Sequence, residues 1–445
     1  MINKNSVQKI LSIFKKIKLE LLSFIILMLW SISPIIEYFF KKYCINTYYT
    51  HYFTNIIYLI GILGILIYIF YFIKLNKKEN NKIKYFIPEI LIIALLNLSL
   101  IASFLSDNSY LSFFGENYRK EGLIVYIMYI GFVLLASIIK DNKYIKYLFL
   151  SMVISCLVIT IMPLFDNNFT YLNYTNIFHN PNHYGYYLMI NTMLSLFMFI
   201  NSNKLYKKIL YILSYIFILY LLIKNNTFGS YLAMCITLFF LFIYSLVKKY
   251  EIKKVLLVII LFISTSFIIS NYDIKIGERV NFNSTKGIVS ANMSSLSQDI
   301  KGFVNKDEKA IEAAGTYRGL LWKEAGKYAL KHPLFGGGME CLKKYYYNEC
   351  YIFYSDRPHN MILQISAFIG IPGALVYLAL IIYLAISNLK IMKKNSIHIM
   401  VYFSAMCYFI SSLFGNSMYY TSPYFMILLG LLIGFNRYNK IKSNN

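Results

Sequence analysis

The chain has 445 residues, of which 58% are hydrophobic and 14% charged, and it carries a formal net charge of +24. Mean hydropathy is +0.54. A soluble chain of this length divides into domains with polar surfaces, and this composition excludes that class. Repeated apolar runs approach the roughly 20 residues needed to cross a bilayer, so the sequence predicts an all-α polytopic membrane protein.

Taken in chain order, about twelve spans are expected, at roughly 19–40, 55–73, 85–105, 123–139, 147–165, 183–200, 209–223, 229–247, 255–270, 361–386, 399–415 and 422–436. No small-residue cleavage site follows the first run, which is therefore expected to be retained as a helix. The second and third spans are separated by KLNKKENNKIK, and alternate gaps along the rest of the chain are also lysine-rich. Together with the two tails these gaps hold 26 of the 44 lysines and arginines. That asymmetry is the positive-inside pattern, which accounts for the charge without nucleic acid. It places both termini in the cytoplasm and the remaining loops outside.

The outward loops gather the polar chemistry. The first, SDNSYLSFFGENYRKEG (106–122), carries Arg119 and Glu121. The second, YTNIFHNPNHYGYYL (174–188), carries His179, Asn182 and His183 at the mouth of a span. A short KNNTFGS turn (224–230) follows. The longest runs over roughly 271–360, and a loop of that length is expected to contain helices of its own. The chain thus divides into 1–270 (nine spans), 271–360 (a large outer loop) and 361–445 (three spans and a tail).

Within the large loop, KDEKAIEAA (306–314) suits a short helix, whereas Arg279 reads as a solvated cation. Thr316 suits an N-cap, with a helix running from Tyr317 until Pro333 and the glycines at 336–338 stop it. Arg318 and Trp322 then share a face. A cation in the first turn opposes the helix dipole, which favours an anionic partner; a solvated arginine fits the spacing equally well. His359 precedes the tenth span, with Arg357 two residues before it. A nearby cation favours neutral imidazole, the form that can accept a proton from a hydroxyl. A headgroup contact is the plainer reading for a lone histidine. Cys341 and Cys350, both in the outer loop, are compatible with a disulfide that spacing alone does not decide. The tyrosines from Tyr345 to Tyr347 suit either an interfacial belt or a glycan path.

These residues resemble the core of the O-antigen ligase and polysaccharide polymerase superfamily of bacterial inner-membrane proteins. The resemblance rests on Tyr317-Arg318 with Trp322, then His332-Pro333-Leu334-Phe335-Gly336, then Arg357-Pro358-His359-Asn360, then Gly370 and Gly373. FHNPNHYGYYL and FGENYRKEGL also look like the family's outer-loop patterns. Many members carry a Ser-Arg-Gly-like turn where this chain has Thr227-Phe228-Gly229-Ser230, so the arginine is missing here.

The resemblance implies a GT-C-like glycosyltransferase that uses no metal ion or other cofactor. It implies transfer of a glycan from undecaprenyl diphosphate to a hydroxyl of an acceptor glycan, lipid or protein, with inversion at the anomeric carbon. Arg318 and Arg119 would hold the diphosphate, with Arg357 as a third contact. His359 would orient the acceptor or take its proton, and Asn182, His183, Trp322 and Asn360 would line the site. A lipid-linked glycan flippase is the alternative. Flippases usually show internal repeats and charged spans, neither of which is evident here.

Overall fold

The computed structural model describes residues 18–43, 52–78, 85–117, 119–165, 177–178, 180–272, 286–392, 395–416 and 418–444. Cys44, His179 and Arg279 lie outside the described residues. Among the described residues the fold is all-helical. Each of the twelve expected apolar runs coincides with one helix: α1 (Leu19–Tyr43), α2 (Tyr52–Lys78), α3 (Ile87–Leu105), α5 (Leu123–Ala136), α6 (Asn142–Ile161), α7 (Pro181–Asn201), α8 (Leu205–Lys224), α9 (Phe228–Lys248), α10 (Ile252–Asn271), α14 (Met361–Ile391), α15 (Ser396–Ser412) and α16 (Ser422–Asn444). The segments expected as outer loops add α4 (Ser109–Phe114), α11 (Ile288–Val304), α12 (Glu308–Lys331) and α13 (Cys341–Asn348).

Eight of these helices are long and apolar enough to cross a membrane. The other four, α5, α7, α15 and α16, are shorter or more polar, and most of their residues are buried. Nearly all of α7 is buried, including Asn191, Thr192 and Ser195. Their side chains donate to the carbonyls one turn back, at Tyr187 (2.9 Å), Leu188 (2.7 Å) and Asn191 (2.8 Å). A central helix thus satisfies these three side-chain donors on its own backbone.

The segment expected as a tail after Arg437 is helical. Arg437 itself is buried and paired with Glu89 of α3, whose carboxylate also accepts from Tyr68 at 2.7 Å. This pair ties α16 to α2 and α3.

The segment expected as the large outer loop is folded onto α14. That helix breaks at Ile369 and Gly370, where Gly370 adopts φ +82°. A Cβ there would lie 2.3 Å from the Leu334 carbonyl oxygen. Gly336 is held as closely, 2.5 Å from the Ala367 oxygen. Backbone N–H groups of Gly337 and Gly338 donate to Ala367 (2.9 Å) and Phe368 (3.0 Å), and Ile371 donates back to Pro333 (2.8 Å). HPLFGGG is therefore a backbone clasp on a broken helix, and its glycines are required by close approach.

Candidate active site

The expected helix at 317–331 is the second half of α12. Its first half starts earlier, at Glu308, capped by Asp307. Gly315, Thr316 and Tyr317 lie in the left-handed region, with φ between +60° and +67°. Thr316 is therefore part of a kink and not an N-cap. Asp299 of α11 accepts the Gly315 N–H at 3.1 Å and pins the kink. The helix restarts at Arg318, so the guanidinium leaves from a first turn as expected.

Arg318 is half-buried, and among the described residues it has no carboxylate partner. Burial lowers its pKa from the ordinary 12.5. Its Nη1 lies 4.0 Å from where a Cβ on Gly229 would stand. The guanidinium thus reaches the turn at 227–230, where the resemblance leads to the expectation of an arginine. Phe228 of that turn points elsewhere, stacking on Tyr231 and lining a small cavity against Ile288 and Val289 of α11. One turn beyond Arg318, the Trp322 ring lies 6.5 Å from that of Phe414, and its buried Nε1 has no acceptor.

His359 stands in a left-handed backbone conformation, φ +54°. Asn416 holds it at two points. Its Oδ1 accepts the His359 backbone N–H at 3.0 Å, and its Nδ2 lies 3.2 Å from Nε2. Because the backbone bond fixes which end of the amide is oxygen, Asn416 presents its NH2 to the ring. Nε2 is then the acceptor, and a neutral imidazole carries its hydrogen on Nδ1. Nδ1 is buried without a partner. Burial, then the charges of Arg318 and Arg119, push the pKa of His359 down to about 3. The ring is neutral at physiological pH, as expected, but its lone pair is engaged. To take a proton, Nε2 must give up Asn416.

The other two arginines are not open cations. Arg119 makes two hydrogen bonds to Asp356, the second, from Nη2, at 2.7 Å. That neighbour holds the Asp356 carboxyl well below the usual carboxylate range. Arg357 is fully buried between Glu121 (3.0 Å) and Glu340. Glu121 also accepts from Tyr129 at 2.6 Å. Two guanidiniums face three carboxylates in this network, and burial pushes Glu121 and Glu340 upward against the pull of Arg357. Arg357 was expected to touch a diphosphate. With no exposed surface and two carboxylates already bound, it instead anchors the strap before His359 to the 106–122 segment.

Residues 213–378 match the family model described as O-antigen ligase. Over these residues the chain is similar to the O-antigen ligase family. No curated protein matches the chain. The ligase match contains Arg318, Trp322, Arg357, His359 and Asn360, whereas Arg119, Asn182, His183 and Asn416 lie outside it.

The remaining expected residues fall in two groups. His183, at the start of α7, is buried, lies within electrostatic reach of Arg119 and His359, and leaves Nδ1 without a partner. Its neighbour Asn182 is half-buried and gives its backbone N–H to the cap Asn180. The carbonyl of Pro181 accepts from Asn225 (2.7 Å) and Thr227 (3.1 Å), which fastens this junction to the TFGS turn. Asn360 is not a lining group. Its Oδ1 caps α14 through Ile362 and Leu363, and its Nδ2 donates to the Leu413 carbonyl. Cys341 and Cys350 are free thiols, bonded to the Ala367 carbonyl and to Glu324 rather than to each other. Tyr345 and Tyr346 pack into α12, their hydroxyls on Glu324 and the Leu321 carbonyl, so they line no glycan path.

Asn416, Asp356 and Glu340 were missed in the sequence. Asp356 and Glu340 had one available signal, a carboxylate close to a singled-out motif. Asn416 had a weaker one, a Gly-Asn step in an outer gap between two apolar runs.

Proposed function

We propose that this protein transfers a glycan from undecaprenyl diphosphate to an acceptor hydroxyl at the outer face of the cytoplasmic membrane. The observation that carries the reading is Arg318, a half-buried guanidinium without a carboxylate, set beside a neutral, oriented His359. A cation held partly out of water and unneutralised by the protein suits an anionic substrate.

In the reaction, the acceptor oxygen attacks the anomeric carbon while the bond from that carbon to the diphosphate oxygen breaks. The electron pair stays on the leaving diphosphate, and the proton that the acceptor loses passes to that diphosphate. Negative charge grows on the diphosphate, where the Arg318 fork lowers the barrier. The Nδ1–H of His359 orients a substrate oxygen, and Trp322 Nε1 is a second donor without an internal partner. Arg119 and Arg357 hold the strap that carries His359. Arg119 is the second diphosphate contact only if substrate competes with Asp356.

One feature favours transfer over transport. Arg318, Nδ1 of His359 and Nε1 of Trp322, which have no carboxylate or hydrogen-bond partner among the described residues, lie together at one end of the bundle. The experiment that tests the reading is the lipid-linked glycan pool of cells lacking the protein, complemented with wild type or His359→Ala. Accumulated single-repeat lipid intermediates, corrected by wild type alone, mark a polymerase. Long lipid-linked chains mark a ligase. An unchanged pool and surface glycan in both strains removes the proposal.

A further inference from the structure

At the opposite end of the bundle from Arg318 and His359 lies a cavity of about 420 Å³ between the ends of α6, α7, α8 and α15. It is formed where α7 ends at Asn201 and α8 begins at Leu205. Lys143, Lys146, Lys204 and Lys207 all line it, and no carboxylate does. Among the described residues none of these four lysines makes an ion pair. Like charges converging on one concave surface repel unless an anion lies between them.

Two further observations point the same way. The N-terminus of α8 opens at this cavity, and its cap residue Lys204 supplies no side-chain hydrogen bond. Free N–H groups and the positive end of the dipole are left where Lys204 and Lys207 add more positive charge, an arrangement that an anion relieves. Asn201 uses its Oδ1 to accept from Tyr250 at 2.8 Å, while its Nδ2 has no acceptor. The positive-inside bias explains lysines on this face, but not their gathering around a cavity with spare backbone and amide donors.

The other walls of the cavity are apolar, among them Leu150, Met198 and Met400. A free phosphate has no use for such walls, whereas a lipid presents a charged headgroup and an apolar body together. We propose that this cavity binds the phosphate-bearing headgroup of an anionic glycerophospholipid from the cytoplasmic leaflet. The lysines pair with the phosphate, the α8 N–H groups and Asn201 Nδ2 donate to its oxygens, and the upper acyl segments lie on the apolar wall. The site is independent of the glycosyl transfer proposed above.

The test uses the full chain in phosphatidylcholine nanodiscs doped with phosphatidylglycerol, with retained lipid counted by native mass spectrometry. Wild type is expected to retain phosphatidylglycerol over phosphatidylcholine. Lys204→Gln/Lys207→Gln should lower that retention by about tenfold. Lys248→Gln/Lys253→Gln removes the same charge from exposed positions away from the cavity and should leave retention unchanged. Asn201→Leu, which changes no charge, should lower retention as well. If the Lys204/Lys207 double variant does not fold, Lys143→Gln/Lys146→Gln replaces it. Equal losses in the cavity and control variants, or no preference for phosphatidylglycerol, overturn the proposal. Protection from thermal unfolding by inorganic phosphate but not by phosphatidylglycerol overturns the lipid assignment in favour of a small-anion site.

Discussion

Asn416 grips His359 at both its backbone N–H and its ring Nε2, from 57 residues away in the chain. The bond to the backbone fixes the amide, the amide fixes the tautomer, and the tautomer decides which ring nitrogen is left for substrate. In the proposed reaction His359 is thereby suited to donate a hydrogen bond from Nδ1 rather than to act as a free base.

Replacing Asn416 with Asp separates the two roles without changing the side chain's shape. One carboxylate oxygen keeps the backbone N–H, and the other accepts from Nε2–H, so the neutral ring loses its hydrogen at Nδ1. If His359 acts as a donor, transfer at pH 8 falls on the order of 100-fold. The new carboxylate also raises the imidazole pKa, so activity recovers as pH falls and both nitrogens become protonated. If His359 acts as a base, Nδ1 is freed and the variant is most active at high pH. A pH–rate profile of purified Asn416→Asp decides between them.

The wild-type protein should show no inflection in transfer near pH 6.5 attributable to His359, because burial and nearby cations hold its pKa down to about 3. The stability linkage has the opposite direction to that of a paired histidine. Below the ordinary value near 6.5 the unfolded chain takes up a proton that the folded ring refuses. This contribution costs nothing above pH 6.5 and destabilises progressively as pH falls toward 3. Thermal midpoints of wild type and His359→Gln should therefore converge or cross as pH drops from 7 to 5. Parallel curves would place the histidine in water.

Much of the fold was legible in the sequence, and the reason is periodic burial. Every apolar run became a helix, including α5, α7, α15 and α16, whose polar residues serve the centre of the bundle. The site was half legible. Arg318, Trp322 and His359 announced themselves through local motif and position. The role of Arg357 did not, because Glu121 and Glu340 reach it from 236 and 17 residues away. A cation next to a histidine looks the same in sequence whether it faces substrate or is locked in a buried pair. Thr316 failed as a cap for a local reason: the left-handed kink at 315–317 has no composition signal beyond one glycine.

Arg357 should behave as a residue of the fold. Arg357→Met leaves Glu121 and Glu340 buried without a counter-charge and is expected to cost about 3–5 kcal/mol. The triple variant Arg357→Met/Glu121→Gln/Glu340→Gln removes those charges together and should regain a large part of that stability. Thermal unfolding in detergent measures both. A single Arg357→Met variant that keeps the wild-type midpoint and loses only transfer would return Arg357 to the substrate.

Arg318 should show the reverse. Among the described residues it has no ion partner to strand, and burial already disfavours its charge, so Arg318→Ala should leave the midpoint within about 1 °C or raise it. Transfer should fall on the order of 100- to 1,000-fold, as for loss of a preorganised donor at developing charge. Arg318→Lys should recover little, because a point charge does not reproduce the planar fork. Arg119→Lys provides the contrast: it breaks the two-point contact with Asp356, so its first effect is a lower midpoint. Membranes carrying Arg318→Ala at wild-type abundance, assayed with a lipid-diphosphate-linked glycan, give the answer. Full transfer there would mean that the cation beside Gly229 holds no diphosphate, and that the charge on the leaving group is met elsewhere.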